Sequence, residues 1–298
     1  MLAAGSSLIM GGRRRDMSEG SEVKGGSEMV ARRSTTLLVF AASLVLAAGV
    51  AVAQPWNHDP DSDIGPEVWG ELAPAFRTCG SEIRGLPGFQ QTGTRQSPID
   101  LSSPTRAKLP HLAFFYEETA FEIENTGHVI EVPYEAGSVL RVGREVFTLE
   151  QLHFHAPSEH TVNGRRADME AHLVHTDSLG NLAVLGILIN TGESPNPLIE
   201  EIFENAPAEE GAVAIAGTLD AGDLLPASRG YYTYAGSLTT PPCTEGVRWF
   251  VLRRPVQVSE ETVDLFHHLI GDFPEYEGYD RNNRPVRPAN GRVILEKR

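Results

Sequence analysis

Apolar and polar residues alternate in short stretches through the middle of the chain, and this two-residue period predicts strands. Residues 113–116, 121–124, 129–132, 139–142, 151–155 and 170–175 are each brief, β-prone and separated by turn formers. Residues 182–189 form instead a continuous apolar run, the pattern of a strand covered on both faces. Two stretches read as helices, 198–204 and 260–270, the latter with Ser259 as its N-cap and Gly271 behind it. From Gln54 to about Leu101 the chain is rich in Pro, Gly and acidic residues without a sustained period, which predicts irregular wrapping and short helical turns. No repeat or linker-like break follows, so residues 54–298 read as one mainly β domain with a few short helices.

The first 53 residues differ in kind. Residues 37–53 are an almost unbroken run of Ala, Leu and Val, preceded by Arg32 and Arg33 and closing in Ala51-Val52-Ala53. That is the make-up of a secretory signal peptide, which predicts a periplasmic or secreted protein after cleavage. The stretch ahead of the apolar run is long for such a signal, and Met29 and Met17 are alternative starts. An uncleaved membrane anchor is the competing reading, since the run is near the lower length limit for a spanning helix.

Composition narrows the function. A hydrophobic fraction of 41% with 22% charged residues is enough to build a core, which argues against disorder. The net charge of -15 excludes nucleic acid as a natural partner, because phosphate neutralisation needs clustered Lys and Arg. Only two cysteines occur, Cys79 and Cys243. In an oxidising compartment they read as one disulfide closing a long loop; neither has a second Cys or a His at ligand spacing, which disfavours a thiolate metal site.

The chemistry concentrates in Gln151-Leu152-His153-Phe154-His155. On a strand, His153 and His155 project from one face while Phe154 points to the other. His172, in Glu170-Ala171-His172, offers a third imidazole from another β-prone run. A single strand histidine is ordinarily a packing residue. Three neutral imidazoles with one open position, by contrast, make a catalytic zinc site, where a water loses its proton near neutral pH.

Several ordered segments then point one way: Gln96-Ser97-Pro98-Ile99-Asp100, Asn125-Thr126-Gly127-His128, Ser158-Glu159-His160-Thr161-Val162, His172-Leu173-Val174-His175, Leu182-Ala183-Val184-Leu185-Gly186, and Tyr234-Ala235-Gly236-Ser237-Leu238-Thr239-Thr240-Pro241-Pro242-Cys243. In this order they resemble the alpha-class carbonic anhydrases, most of all the bacterial, signal-bearing members. The resemblance implies a large, twisted, mostly antiparallel sheet of about ten strands and reversible hydration of carbon dioxide to bicarbonate at a zinc ion. It implies that His153, His155 and His172 hold the zinc, with Gln151 orienting His153 and Glu170 orienting His172. Thr239 would take a hydrogen bond from the zinc hydroxide and donate its own proton to Glu159, and Thr240 would help hold bicarbonate. Val174, Val184, Leu238, Val247 and Trp249 would form the apolar wall for carbon dioxide. His128 would carry protons out as an imidazole titrating near neutrality. His160 is expected to be buried and structural, with no role for His175, His267 or His268, and the cysteines fall where the family pairs them. A homodimer is compatible with the resemblance.

Three departures stand out. The family's Trp-x-Tyr reads here Trp56-Asn57-His58, the segment between Cys79 and Gln96 is longer than usual, and Glu131 replaces a neutral amide. They touch the proton-transfer network more than the metal. Two other functions compete: a catalytically silent, carbonic-anhydrase-like binding protein, which would lack a metal ligand, and a zinc esterase, for which no acyl pocket or nucleophile elbow is visible.

Overall fold

The alternating stretches assemble into one large sheet. The computed structural model describes residues 54–80 and 93–298, all within one compact unit, Val52–Arg298. The signal-like segment and residues 81–92, which include most of the lengthened stretch after Cys79, lie outside the described residues.

The strands are β1 (Thr105–Arg106), β2 (Leu112–Phe115), β3 (Thr119–Asn125), β4 (Ile130–Pro133), β5 (Val139–Val142), β6 (Glu145–His155), β7 (Met169–Thr176), β8 (Leu182–Thr191), β9 (Gly211–Leu219), β10 (Tyr231–Ser237), β11 (Glu245–Val258) and β12 (Leu295–Lys297). Ten of them run side by side in the order β1-β12-β10-β11-β8-β7-β6-β4-β3-β9. The other two attach through β6, which is long enough to serve two neighbours on one side. Its Glu145–Thr148 part pairs with β5, which carries β2, and its Gln151–His153 part pairs with β4. All pairings are antiparallel except β1 with β12 and β8 with β11. The mainly antiparallel sheet expected from the resemblance is therefore present, with a parallel contact at its centre.

Helices are few and short. Pro197–Glu204 (α2) is capped by the Asn196 side chain, and Glu260–Gly271 (α3) by Ser259, whose hydroxyl accepts from Thr262 N at 3.1 Å. A single turn, Trp69–Leu72 (α1), and a 3-10 turn, Pro74–Cys79, account for the irregular N-terminal wrapping.

The sheet separates two apolar clusters. One contains Phe154, Leu173, Leu185 and Phe250 together with Ile199, Ile202 and Phe203 of α2 and Phe266 and Ile270 of α3. The other contains Ile99, Leu101, Val184, Tyr234, Val247, Trp249 and Val251. Strand alternation allots residues to each: Phe154 meets Phe203 edge-on at 5.0 Å, while its neighbours His153 and His155 face the other way. Strand β8 is buried over seven consecutive residues because both its faces are covered, as its unbroken apolar run predicted.

Candidate metal centre

Register brings the three histidines together. In the β6–β7 ladder His153 lies directly opposite His172 and His155 opposite Glu170. Their ring centroids are 5.0 Å (His153–His155), 5.2 Å (His153–His172) and 4.7 Å (His155–His172) apart. One nitrogen from each ring lies within 4.8 Å of the others.

The outward ring atoms show which nitrogens are available. His153 Nδ1 donates to Gln151 Oε1 at 2.8 Å, and Gln151 Nε2 in turn donates to Glu131 Oε2 at 2.7 Å. His155 Nδ1 donates to the Asn282 carbonyl at 2.8 Å. Because both acceptors are carbonyl oxygens, each ring must carry its proton on Nδ1 and keep a lone pair on Nε2. His155 Nε2 is buried and has no hydrogen-bond partner. His172 turns the other way, with Nε2 3.1 Å from Glu170 Oε1, off the direction of a full hydrogen bond, and Nδ1 toward the cluster. Burial holds His153 and His155 below the usual imidazole range, so both are neutral, as metal ligands must be. Two neutral imidazoles with inward lone pairs, and His172 converging on them, present three nitrogens that fit a zinc ion.

Glu170 also binds His160. Its Oε1 accepts from His160 Nδ1 at 2.7 Å and its Oε2 from His160 N at 2.8 Å, while His160 Nε2 meets the Tyr234 hydroxyl at 2.6 Å. Both nitrogens of His160 are thus engaged, which gives it the structural place expected of it. Gly186, opposite His172 on β8, leaves the space this carboxylate needs, since a Cβ there would stand 2.8 Å from Glu170 Oε1.

The five apolar residues assigned to the substrate wall share one cluster. Val184, Val247 and Trp249 are buried in it, and Val174 and Leu238 pack against it. Cross-strand partners explain the grouping, since Val174 lies opposite Val184 and Val184 beside Trp249. The Trp249 and His172 ring centroids are 4.8 Å apart, so the apolar surface begins at the histidine cluster.

Thr239 and Thr240 stand on the loop between β10 and β11. This loop is tied by Leu238 N to Thr244 O at 3.0 Å and Cys243 N to Thr240 O at 2.8 Å, and Cys243 is disulfide-bonded to Cys79. Glu159 Oε1 accepts from Arg284 N at 2.8 Å, but Oε2 has no hydrogen-bond partner. The expected hydrogen bond from Thr239 to Glu159 is therefore not formed in this arrangement. Oε2 lies instead 3.7 Å from His155 Nε2 and 3.9 Å from His172 Nδ1.

His128 also differs from expectation. Its turn forms as the sequence implies, with Gly127 at φ +76° and the Thr126 hydroxyl accepting from Val129 N at 3.1 Å. The ring, however, lies against Trp56 and buries Nδ1 without a partner. Burial lowers its pKa to about 4, well under the neutral range expected of a proton carrier.

Three contributors escaped the sequence. Asn282 fixes His155 through its carbonyl, and its side chain accepts from Ala156 N at 2.8 Å and donates to Phe154 O at 3.0 Å. Arg284 is buried, its guanidinium bonded to Gln96 Oε1, Ser97 O and Cys79 O. An Asn-Asn-Arg-Pro run reads locally as an exposed turn, so nothing in it announces this role. His58 was visible only as a departure; it is fully buried, with Nδ1 against the Tyr276 hydroxyl and its rings 6.2 Å from His155.

Comparison with known proteins agrees with this geometry. The eukaryotic-type carbonic anhydrase family matches residues 87–298. A carbonic anhydrase of Neisseria gonorrhoeae is 37% identical over 265 residues, covering 89% of this chain and 96% of that protein. The alpha-carbonic anhydrase of Thermovibrio ammonificans, solved with the inhibitor sulfanilamide, superposes with a TM-score of 0.72 at 39% identity, covering 82% of this chain and all of that one. Dioscorin, solved with ascorbate, shares the fold at 31% identity and a TM-score of 0.70, over 81% of this chain and 97% of its own. Sheet order, ligand geometry and these likenesses converge: the chain belongs to the alpha-class carbonic anhydrase family.

Proposed function

We propose that this protein catalyses the reversible hydration of carbon dioxide to bicarbonate and a proton, with zinc held by His153, His155 and His172. The observation that carries this reading is the convergence of three histidine nitrogens within 4.8 Å, with the His153 and His155 rings fixed by acceptors on their far sides and His172 Nε2 beside Glu170. When bound there, zinc supplies the Lewis acidity that makes water a nucleophile at neutral pH, for which carbonic anhydrase is the reference case.

The chain's own residues supply the rest. The cluster of Val174, Val184, Leu238, Val247 and Trp249 receives an apolar gas that offers no group for ion pairing. Glu159, anchored at Oε1, keeps Oε2 free to accept the Thr239 hydroxyl proton, which would leave the Thr239 oxygen as an acceptor that orients the attacking group. Thr240 on the same loop assists in holding bicarbonate. His128 takes protons to solvent after its ring leaves Trp56, since in the stacked position it binds a proton only near pH 4. The signal-like segment and the Cys79–Cys243 disulfide support a periplasmic or secreted location.

Dioscorin shows that the fold also appears in a ligand complex of another kind, so family membership alone does not establish turnover. A full set of converging ligands favours the enzyme over a silent binding protein. Stopped-flow hydration of carbon dioxide by the purified protein, with metal analysis, tests the reading. We expect activity in proportion to bound zinc and its loss in His172→Ala; zinc-loaded protein without hydration activity would refute it. Ester hydrolysis in the same preparation distinguishes a dedicated zinc esterase.

A further inference from the structure

A second set of converging donors lies beside the three histidines. His58, His155 and Glu159 are each fully buried, and one donor atom of each lies within 4.8 Å of the others. Each also has one side-chain atom without a hydrogen-bond partner: His58 Nε2, His155 Nε2 and Glu159 Oε2. Their remaining polar atoms are engaged. His58 Nδ1 meets Tyr276 Oη, His155 Nδ1 donates to Asn282 O at 2.8 Å, and Glu159 Oε1 accepts from Arg284 N at 2.8 Å. The three-histidine centre already uses His155 Nε2, and Glu159 Oε2 faces Thr239 in the proposed reaction, so His58 Nε2 is the orphan that centre leaves over. Buried polar atoms are nearly always satisfied, and its convergence on the other two points to a cationic partner they can share.

We propose that His58 gives the centre a second position for a divalent ion of the zinc class, held by His58, His155 and Glu159. Two imidazoles and a carboxylate are an established zinc donor set. The tautomer with Nδ1–H donating to the Tyr276 oxygen leaves the His58 Nε2 lone pair free. His58 stands where the family pattern has tyrosine, a weaker ligand for such an ion, so the second position comes with that replacement. His155 has a single free nitrogen and belongs to both sets; the two positions are therefore mutually exclusive. An ion in the second would engage Glu159 Oε2 and remove it from Thr239, making this a holding position apart from the reaction.

Cobalt(II) is a suitable probe because its visible bands report the ligand set. Metal-free His153→Ala/His172→Ala protein, checked for folding by circular dichroism, retains only the second set. It should bind one equivalent of cobalt(II), and adding His58→Tyr or Glu159→Gln should weaken binding at least about tenfold. Equal affinity with and without His58→Tyr overturns the proposal. Should the double variant unfold, His172→Ala with and without His58→Tyr is read by the same criterion. Carbon dioxide hydration by the unaltered protein is measured separately, so failure of the proposed reaction leaves this comparison intact.

Discussion

The imidazole of His128 stacks on the indole of Trp56, with centroids 3.8 Å apart and planes 15° from parallel. The contact helps shield the ring and so helps hold its pKa near 4. In Trp56→Ala, we expect that value to climb toward the ordinary 6.5, followed by NMR titration of the ring protons. An unchanged value would show that other neighbours do the burying.

Glu131 should make stability depend on pH. Burial first, then the Glu124 carboxylate, raise its pKa from 4.5 to about 7. A raised acid leaves stability intact below pH 4.5 and removes it as pH climbs through 7. Glu131→Gln has no such loss. We expect it to be more stable than the parent by about 1–2 kcal/mol at pH 8, after allowing for partial exposure, and no more stable at pH 4. Urea denaturation at both pH values decides.

In the proposed centre Gln151 would act on zinc through His153. Gln151→Ala removes the acceptor that fixes the His153 ring, and zinc should be released about 10–100-fold faster to a chelator. Release at the parental rate would mean that packing alone holds the ring.

The disulfide links the loop bearing Thr239 and Thr240 to the 3-10 turn ending at Cys79. It closes a separation of 164 residues, and Cys79→Ser/Cys243→Ser should cost about 2–5 kcal/mol in urea denaturation. A midpoint equal to that of the oxidised parent would contradict this.

Local pattern made much of this protein legible. Strands β2 to β8 and helices α2 and α3 were visible because alternation, apolar runs and capping residues act between near neighbours in the chain. The pairing of His153 and His155 on one face followed from strand geometry alone. By contrast β9, β10 and β11 lie outside the predicted strands, and the parallel contact of β8 with β11 joins segments whose partners lie about 65 residues apart. Register was the larger unknown, and it is register that sets His172 opposite His153.

What the sequence determined by itself, then, was which residues could be ligands and which faces they would share, since backbone period fixes side-chain direction. Only the tertiary structure decided their environment. It stacked His128 on Trp56 and lowered its pKa, left Glu159 Oε2 without the Thr239 bond, and brought Asn282 and His58 to His155 from distant parts of the chain. Burial and long-range contact set proton affinity and lone-pair direction, and neither is encoded in the spacing of neighbouring residues.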